Sequence, residues 1–307
     1  MQRNIEHVAG THGTYRRPMT TSTLPVDRQA LLPTDDDVAA YAEHGYWLSG
    51  AIVPDGVLDA AERGMERFYA GDHDAPFPGR TRYDDYDWQP GQEGLRKNDY
   101  AAQQVRELLA LATLPIIGAV AARLAGDAPI RLWHDQLLYK PTEQPGAEAN
   151  VGWHTDRQYW STCTSTTMLT AWVPFHPCDA ETGTITMIDG SHRWEDVGDL
   201  DFFDGRREGA DLAPAGQEAV QVPAVLRRGQ VSFHHNRTIH GSGPNRSARP
   251  RRSMAIHLQV GENRWQDVAP APGKEAYHRN DELAPRVDGV PDYADPRLFP
   301  QLWPPAS

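Results

Sequence analysis

The sequence predicts a mainly β protein with helical additions, and two observations carry that expectation. Up to about residue 125 the apolar residues recur at helical spacing, whereas after Gly126 they fall into short alternating or continuous runs separated by Gly, Pro and Asn. Among those later runs no helical stretch alternates with the strands, which disfavours βαβ units in a parallel sheet and favours a sandwich or barrel.

The elements follow in order. Residues 1–32 are rich in Thr, Arg and His without a continuous apolar run, so they are expected to form a mobile N-terminal tail rather than a secretory signal. Residues 33–307 are expected to form one domain: mainly helical over 33–125, a β core over 126–262, and a proline-rich C-terminal wrap over 263–307. Thr34 before three carboxylates and an apolar rhythm predicts a helix to about His44. Asp55–Tyr69 reads as a second helix, with Val57, Leu58, Ala61, Met65 and Phe68 on one face. Val105–Leu124 reads as a third, divided near Pro115. The runs RLWHDQLLYK, TTMLTAWVPF, GTITMI, GQVSFHH and SMAIHLQV read as strands. The charged, Gly-rich stretch from Glu195 to Ala219 is expected to be an insertion between strands that serves as a lid.

Composition narrows the function classes. Thirty Lys plus Arg against forty-two Asp plus Glu give a formal charge of −12, which repels a phosphate backbone, so nucleic acid is not an expected partner. No stretch is expected to reach the roughly 18 to 20 apolar residues of a membrane span, and the setting is expected to be cytoplasmic. Two cysteines are too few for a disulfide framework or a thiolate metal site, and they fit a reducing compartment.

The chemistry concentrates in GWHTDRQYW. His154 and Asp156 are separated by one residue, and the period of a strand would point both to the same side. His240, in TIHGSGPN, lies 84 residues beyond Asp156, a distance a closed β fold can bring back. Two imidazoles and one carboxylate on one face of a metal form the facial triad of non-haem Fe(II) oxygenases. His-x-Asp alone recurs by chance, and a strand histidine is more often a core or surface residue. The second cluster strengthens the reading: His240 is followed by Ser242 and, eleven residues on, by Arg251 at the start of RRSMAIHLQV. Alternation puts Arg251, Ser253, Ala255 and His257 on one face and points Arg252 the other way. The planar guanidinium binds a carboxylate through two parallel charge-assisted hydrogen bonds.

At these residues the chain resembles the phytanoyl-CoA dioxygenase family of Fe(II)/2-oxoglutarate-dependent oxygenases. The likeness runs through VAAYAEHGYWL, LLYKPTEQPG, WHTDRQYW, TAWVPF, TGTITMIDGSHRW and HGSGPNRSARPRRS, in that order. It implies a double-stranded β-helix (jelly-roll, cupin-like) core with the N-terminal helical region packed on it. It further implies Fe(II), 2-oxoglutarate and O2 as cofactor and co-substrates, with His154, Asp156 and His240 as iron ligands. Arg251 and Ser242 match the residues that hold the distal carboxylate of 2-oxoglutarate, and Trp172, Gln136 and Lys97 match further co-substrate contacts. The usual PGSH turn reads DGSH here, with Asp189 in place of proline. Halogenases of this fold carry a small residue where Asp156 stands, so halogenation is not implied.

The activity implied is hydroxylation of an unactivated C–H bond of a small molecule, in natural-product biosynthesis, with release of succinate and CO2. Desaturation, cyclisation and epimerisation start from the same chemistry. A jelly-roll binding protein without catalysis ranks lower because all three ligands and the arginine are present, and Arg251 with Ser242 argues against a metalloenzyme that uses no 2-oxoglutarate. The expected substrate walls are Trp133, Arg157, Gln158, Tyr159, Trp160, His235 and Asn236. The loop RTRYDDYDWQPGQEG, with Asp84, Asp85 and Asp87 among aromatics, is expected to cover the mouth and attract a cationic or polyhydroxylated substrate.

Overall fold

The helices begin where the sequence writes helix starts. After α1 (Val26–Gln29), α2 (Asp35–His44) opens on a closed capping box: Thr34 accepts from the Asp37 amide, and Asp37 accepts from the Thr34 amide at 2.8 Å. It ends on Gly45 in the left-handed region, at φ +81°, where a Cβ would collide with His192 and Thr238. The chain continues into β1 (Tyr46–Leu48) and α3 (Asp55–Tyr69), which buries Leu58, Ala61 and Met65. The computed structural model describes residues 24, 26–144, 149–195, 197, 200, 202, 209–269 and 275–304.

Much of the expected tail, residues 1–23 and 25, lies outside the described residues, but its last part is docked. Leu24 is buried in the main core, Leu31 and Leu32 pack against that core, and Arg28 Nη1 donates to Ile52 O at 3.2 Å. The expectation of a tail up to residue 32 is corrected there: three leucines in a polar stretch have apolar surface to bury.

Next come β2 (Arg96–Asp99), α4 (Ala101–Gln104), α5 (Arg106–Ala112) and α6 (Pro115–Leu124). Pro115 occupies the first turn of α6, where its missing amide costs nothing. The stretch Arg106–Leu124 has 19 residues and a mean hydropathy of 1.7, so by length and composition it does qualify as a candidate membrane span, contrary to the expectation. In this fold it is two helices whose Leu108, Leu111, Ile117 and Val120 are buried in the core.

The β core comprises β3 (Ile130–Lys140), β4 (Val151–His154), β5 (Leu169–Pro174), β6 (Thr186–Ile188), β7 (Gln221–Pro223), β8 (Ser232–His235), β9 (His240–Ser242) and β10 (Arg251–Val260). α7 (Asn280–Leu283), the ribbon of β11 (Arg286–Val287) and β12 (Val290–Pro291), and β13 (Gln301–Trp303) follow. One seven-stranded sheet has the order β1-β8-β5-β10-β3-β13 with β2 also on β3, and a four-stranded sheet has the order β4-β9-β6-β7. The pairings are antiparallel, and the two sheets form the double-stranded β-helix, with the helical region packed on the larger one.

Alternation along β10 decides which face does what. Met254, Ile256, Leu258 and Val260 join the core shared with the helices, whereas Arg251, Ala255 and His257 face the space between the sheets. In the C-terminal segment, β13 adds to the edge of β3 and packs on α6. Of the expected lid at 195–219, residues 196, 198, 199, 201 and 203–208 lie outside the described residues.

Candidate metal centre and its two cavities

β4 ends on His154, and Asp156 begins a short 3-10 turn, Asp156–Tyr159. The two side chains therefore do not share a strand, which corrects the strand-period argument. Thr155 between them is extended, at φ −114° and ψ 142°, so both still project to one side. β9 pairs with β4 so that His240 lies opposite His154. Asp156 Oδ1 sits 4.0 Å from His154 Nε2 and 3.8 Å from His240 Nε2, and one donor atom from each of the three lies within 4.8 Å of the others.

The histidine tautomers follow from their back contacts. His154 Nδ1 lies 2.8 Å from Gly152 O, and His240 Nδ1 lies 3.0 Å from Thr238 O. A carbonyl only accepts, so each Nδ1 carries the proton and each Nε2 offers a lone pair to the centre. Burial pushes both imidazoles below their ordinary range, which keeps them neutral. Burial opposes ionisation of Asp156, but the close approach of His234 and the imidazoles of His240 and His257 outweigh this and hold the carboxyl well below the usual range. Thr170 Oγ1 donates to Asp156 Oδ2 at 2.5 Å, and His234 Nε2 stands 3.4 Å from the same oxygen, leaving Oδ1 for a metal. Two neutral nitrogens and one anionic oxygen on one face fit a divalent iron and leave positions open.

Two cavities meet at the triad, since His154 and Asp156 line both. The inner one, about 40 Å³, is bounded by Gln136, Trp172, Ser242 and Arg251. Arg251 is 1% exposed, its guanidinium lies 5.3 Å from the Trp172 ring centre, and its Nη1 donates to Gly183 O. Burial lowers its pKa only to about 10, so it stays charged, and its Nε has no partner among the described residues. A buried charge without a counter-charge is costly, so this end of the cavity fits a carboxylate. Arg252 turns away to Glu62 and Glu66 at 3.4 and 3.7 Å, as alternation predicts.

The outer cavity, about 470 Å³, includes Gln158, Tyr159 and Trp160 in its lining, where the sequence places substrate walls. Lys97 lies here and not in the inner cavity, with Nζ 2.8 Å from Asp99. Four expected walls fall outside both linings. Trp133 stacks on Phe299 with ring centres 5.4 Å apart, in a cluster with Tyr293. Arg157 spends its guanidinium on Trp160 O and Cys163 O at 2.7 and 3.0 Å, holding the turn. His235 lies 5.5 Å from the His192 ring, because period two on β8 turns His234, not His235, toward Asp156. Asn236 is buried and joins the loop through its main chain, to Met168 O and from the Arg157 amide.

Tyr83 and Tyr86 of the acidic loop do reach the cavity, and so do Leu200 and Phe202 of the expected lid. Of the carboxylates expected to attract a cation, Asp84 and Asp87 are already paired, 3.1 and 2.8 Å from Arg279, which also lies 3.3 Å from Asp99. Sequence reasoning also missed His134, His257 and His278 in this lining. Alternation puts His257 on the Arg251 face of β10, and its partner Thr170 shares a face of β5 with Trp172, so parity is the signal for both.

Fold and site together define a jelly-roll protein with the His-Asp-His triad of the Fe(II)/2-oxoglutarate dioxygenase superfamily. Residues 41–253 match the phytanoyl-CoA dioxygenase (PhyH) family, and the chain belongs to that family. Peroxisomal phytanoyl-CoA dioxygenase of Bos taurus is 24% identical over 176 residues, covering 54% of this chain and 50% of that protein. The chain thus spans about half the length of curated relatives it matches. Among solved structures, the non-heme alpha ketoglutarate dependent epimerase SnoN from nogalamycin biosynthesis is 27% identical with a TM-score of 0.64, covering 89% of this chain and 98% of that one. The carbocyclase SnoK of the same biosynthesis shares the fold at 24% identity and a TM-score of 0.65, covering 88% of this chain and 96% of that one.

Proposed function

We propose that the protein is an Fe(II)- and 2-oxoglutarate-dependent oxidoreductase that acts on a small molecule held in the outer cavity. The carrying observation is that the triad opens on one side to a small cavity closed by a buried arginine that has no carboxylate partner among the described residues, and on the other to a large aromatic one. Iron with 2-oxoglutarate and O2 supplies an oxidant that takes a hydrogen atom from an unactivated C–H bond, with release of succinate and CO2. His154, Asp156 and His240 would hold the metal, and Arg251 with Ser242 would hold the distal carboxylate. Tyr159 and Trp160 would set which substrate carbon faces the triad.

Hydroxylation is the reaction the family resemblance implies first. Similarity over 89% of the chain to an epimerase supports instead an outcome in which no oxygen is added: cyclisation or desaturation, where the substrate gives up two hydrogens, or epimerisation, where one hydrogen is removed and another returned and an added reductant such as ascorbate supplies the two missing electrons. The same similarity supports a natural-product substrate. Because Lys97 and Arg279 pair with Asp99 in the wall, and Arg279 also with Asp84 and Asp87 outside the lining, an uncharged, polyhydroxylated substrate suits the cavity better than a cation. A cytoplasmic setting belongs to the same proposal, since Cys163 and Cys178 are both buried free thiols.

The test incubates the Fe(II)-loaded protein with 2-oxoglutarate, ascorbate and a panel of neutral and cationic natural products, measuring succinate and product mass. Succinate release stimulated by neutral compounds, with product mass unchanged or reduced by two hydrogens, is expected. A product that gains one oxygen would restore hydroxylation, and absence of succinate throughout would sink the oxidoreductase reading.

A further inference from the structure

The antiparallel register of β3 and β10 places Lys140 directly opposite Arg251. Like charges facing each other across a strand pair are destabilising. Here both are buried, at 0% and 1% exposure, and no carboxylate pairs with either among the described residues. Burial and the Arg251 guanidinium push the Lys140 ammonium well below its ordinary range, so an anion bound in the inner cavity would favour its charged form.

The two cations reach the inner cavity differently. Arg251 lines it, whereas Lys140 stands behind Ser242, with Nζ 2.6 Å from Ser242 Oγ, 3.2 Å from Ser242 O and 2.6 Å from Gly243 O. Three oxygens match the three protons of an ammonium, and two of them are carbonyls that only accept. Once Nζ donates to Oγ, the serine's own proton must point elsewhere, and Ser242 is part of the inner lining.

We propose that Lys140 is a positioning residue for a dicarboxylate: it turns the Ser242 hydroxyl proton into the inner cavity and adds a second positive charge behind the carboxylate site of Arg251. This rests on the reading of the inner cavity as the 2-oxoglutarate site. The competing role is a plain staple between β3 and β9, which would not distinguish ligands by their far end.

The experiment titrates the anaerobic Mn(II)-loaded protein by calorimetry with 2-oxoglutarate and with 2-oxopentanoate, which has the same 2-oxo acid head but no second carboxylate. Lys140→Met removes charge and donors, whereas Lys140→Gln keeps an amide that can still donate to Gly243 O and so guards against loss of fold. In both variants 2-oxoglutarate should bind about tenfold or more weakly, with 2-oxopentanoate changed by less than about twofold. In a Ser242→Ala background the Lys140→Met loss should shrink, because the hydroxyl it orients is gone. Equal weakening of both ligands, or no weakening, would overturn the proposal. Failure of the unaltered protein to bind 2-oxoglutarate would instead overturn the co-substrate reading beneath it.

Discussion

Replacing Asp156 with alanine is expected to weaken Fe(II) binding by on the order of a thousandfold and to abolish 2-oxoglutarate-dependent succinate formation. Asp156 is the one anionic donor of the triad, and Thr170 fixes its far oxygen. Without it, His154 and His240 offer two neutral nitrogens in a buried pocket, which hold a divalent ion poorly. Metal content after dialysis and succinate yield are the readouts, and an alanine variant that retains full activity would show that the ligand set is wrong.

The second large effect is expected at Arg251. Truncating a buried, hydrogen-bonded charge partner costs about 2–5 kcal/mol, so Arg251→Ala should raise the apparent KM for 2-oxoglutarate by roughly thirty- to several-thousandfold. Arg252 is the matched control, one residue away on the same strand. Its partners Glu62 and Glu66 belong to α3 and its side chain is partly exposed, so Arg252→Ala should leave that KM within about threefold. Equal effects at the two positions would contradict the assignment of faces on β10.

That contrast shows which parts of the molecule are legible in sequence. Where one face of a long strand is buried against helices, as along β10, alternation alone separates Arg251 from Arg252. The capping box at Thr34 and the proline at the head of α6 are local, and so are their signals. The failures have a common cause in long-range geometry. His-x-Asp reads as one strand, but β4 stops at His154 and the following turn, not the strand, carries Asp156. His235 and His234 are adjacent, and only the pairing of β8 with β5 and β1 decides which of them meets Asp156. The acidic loop looks like a lure for cations because Arg279, which neutralises Asp87, lies 192 residues away. Lys140 is illegible in sequence for the same reason, since its significance depends on standing opposite Arg251 and behind Ser242. Trp133 and Arg157 lie near the motifs in sequence, yet their side chains serve packing and the turn.

The most direct measurement of the central claim is anaerobic absorption spectroscopy of the protein with Fe(II), before and after addition of 2-oxoglutarate. The account predicts a weak visible charge-transfer band that appears only with both present, is lost in Asp156→Ala, and needs far more 2-oxoglutarate in Arg251→Ala. A folded, iron-loaded protein that shows no band at saturating 2-oxoglutarate would contradict it.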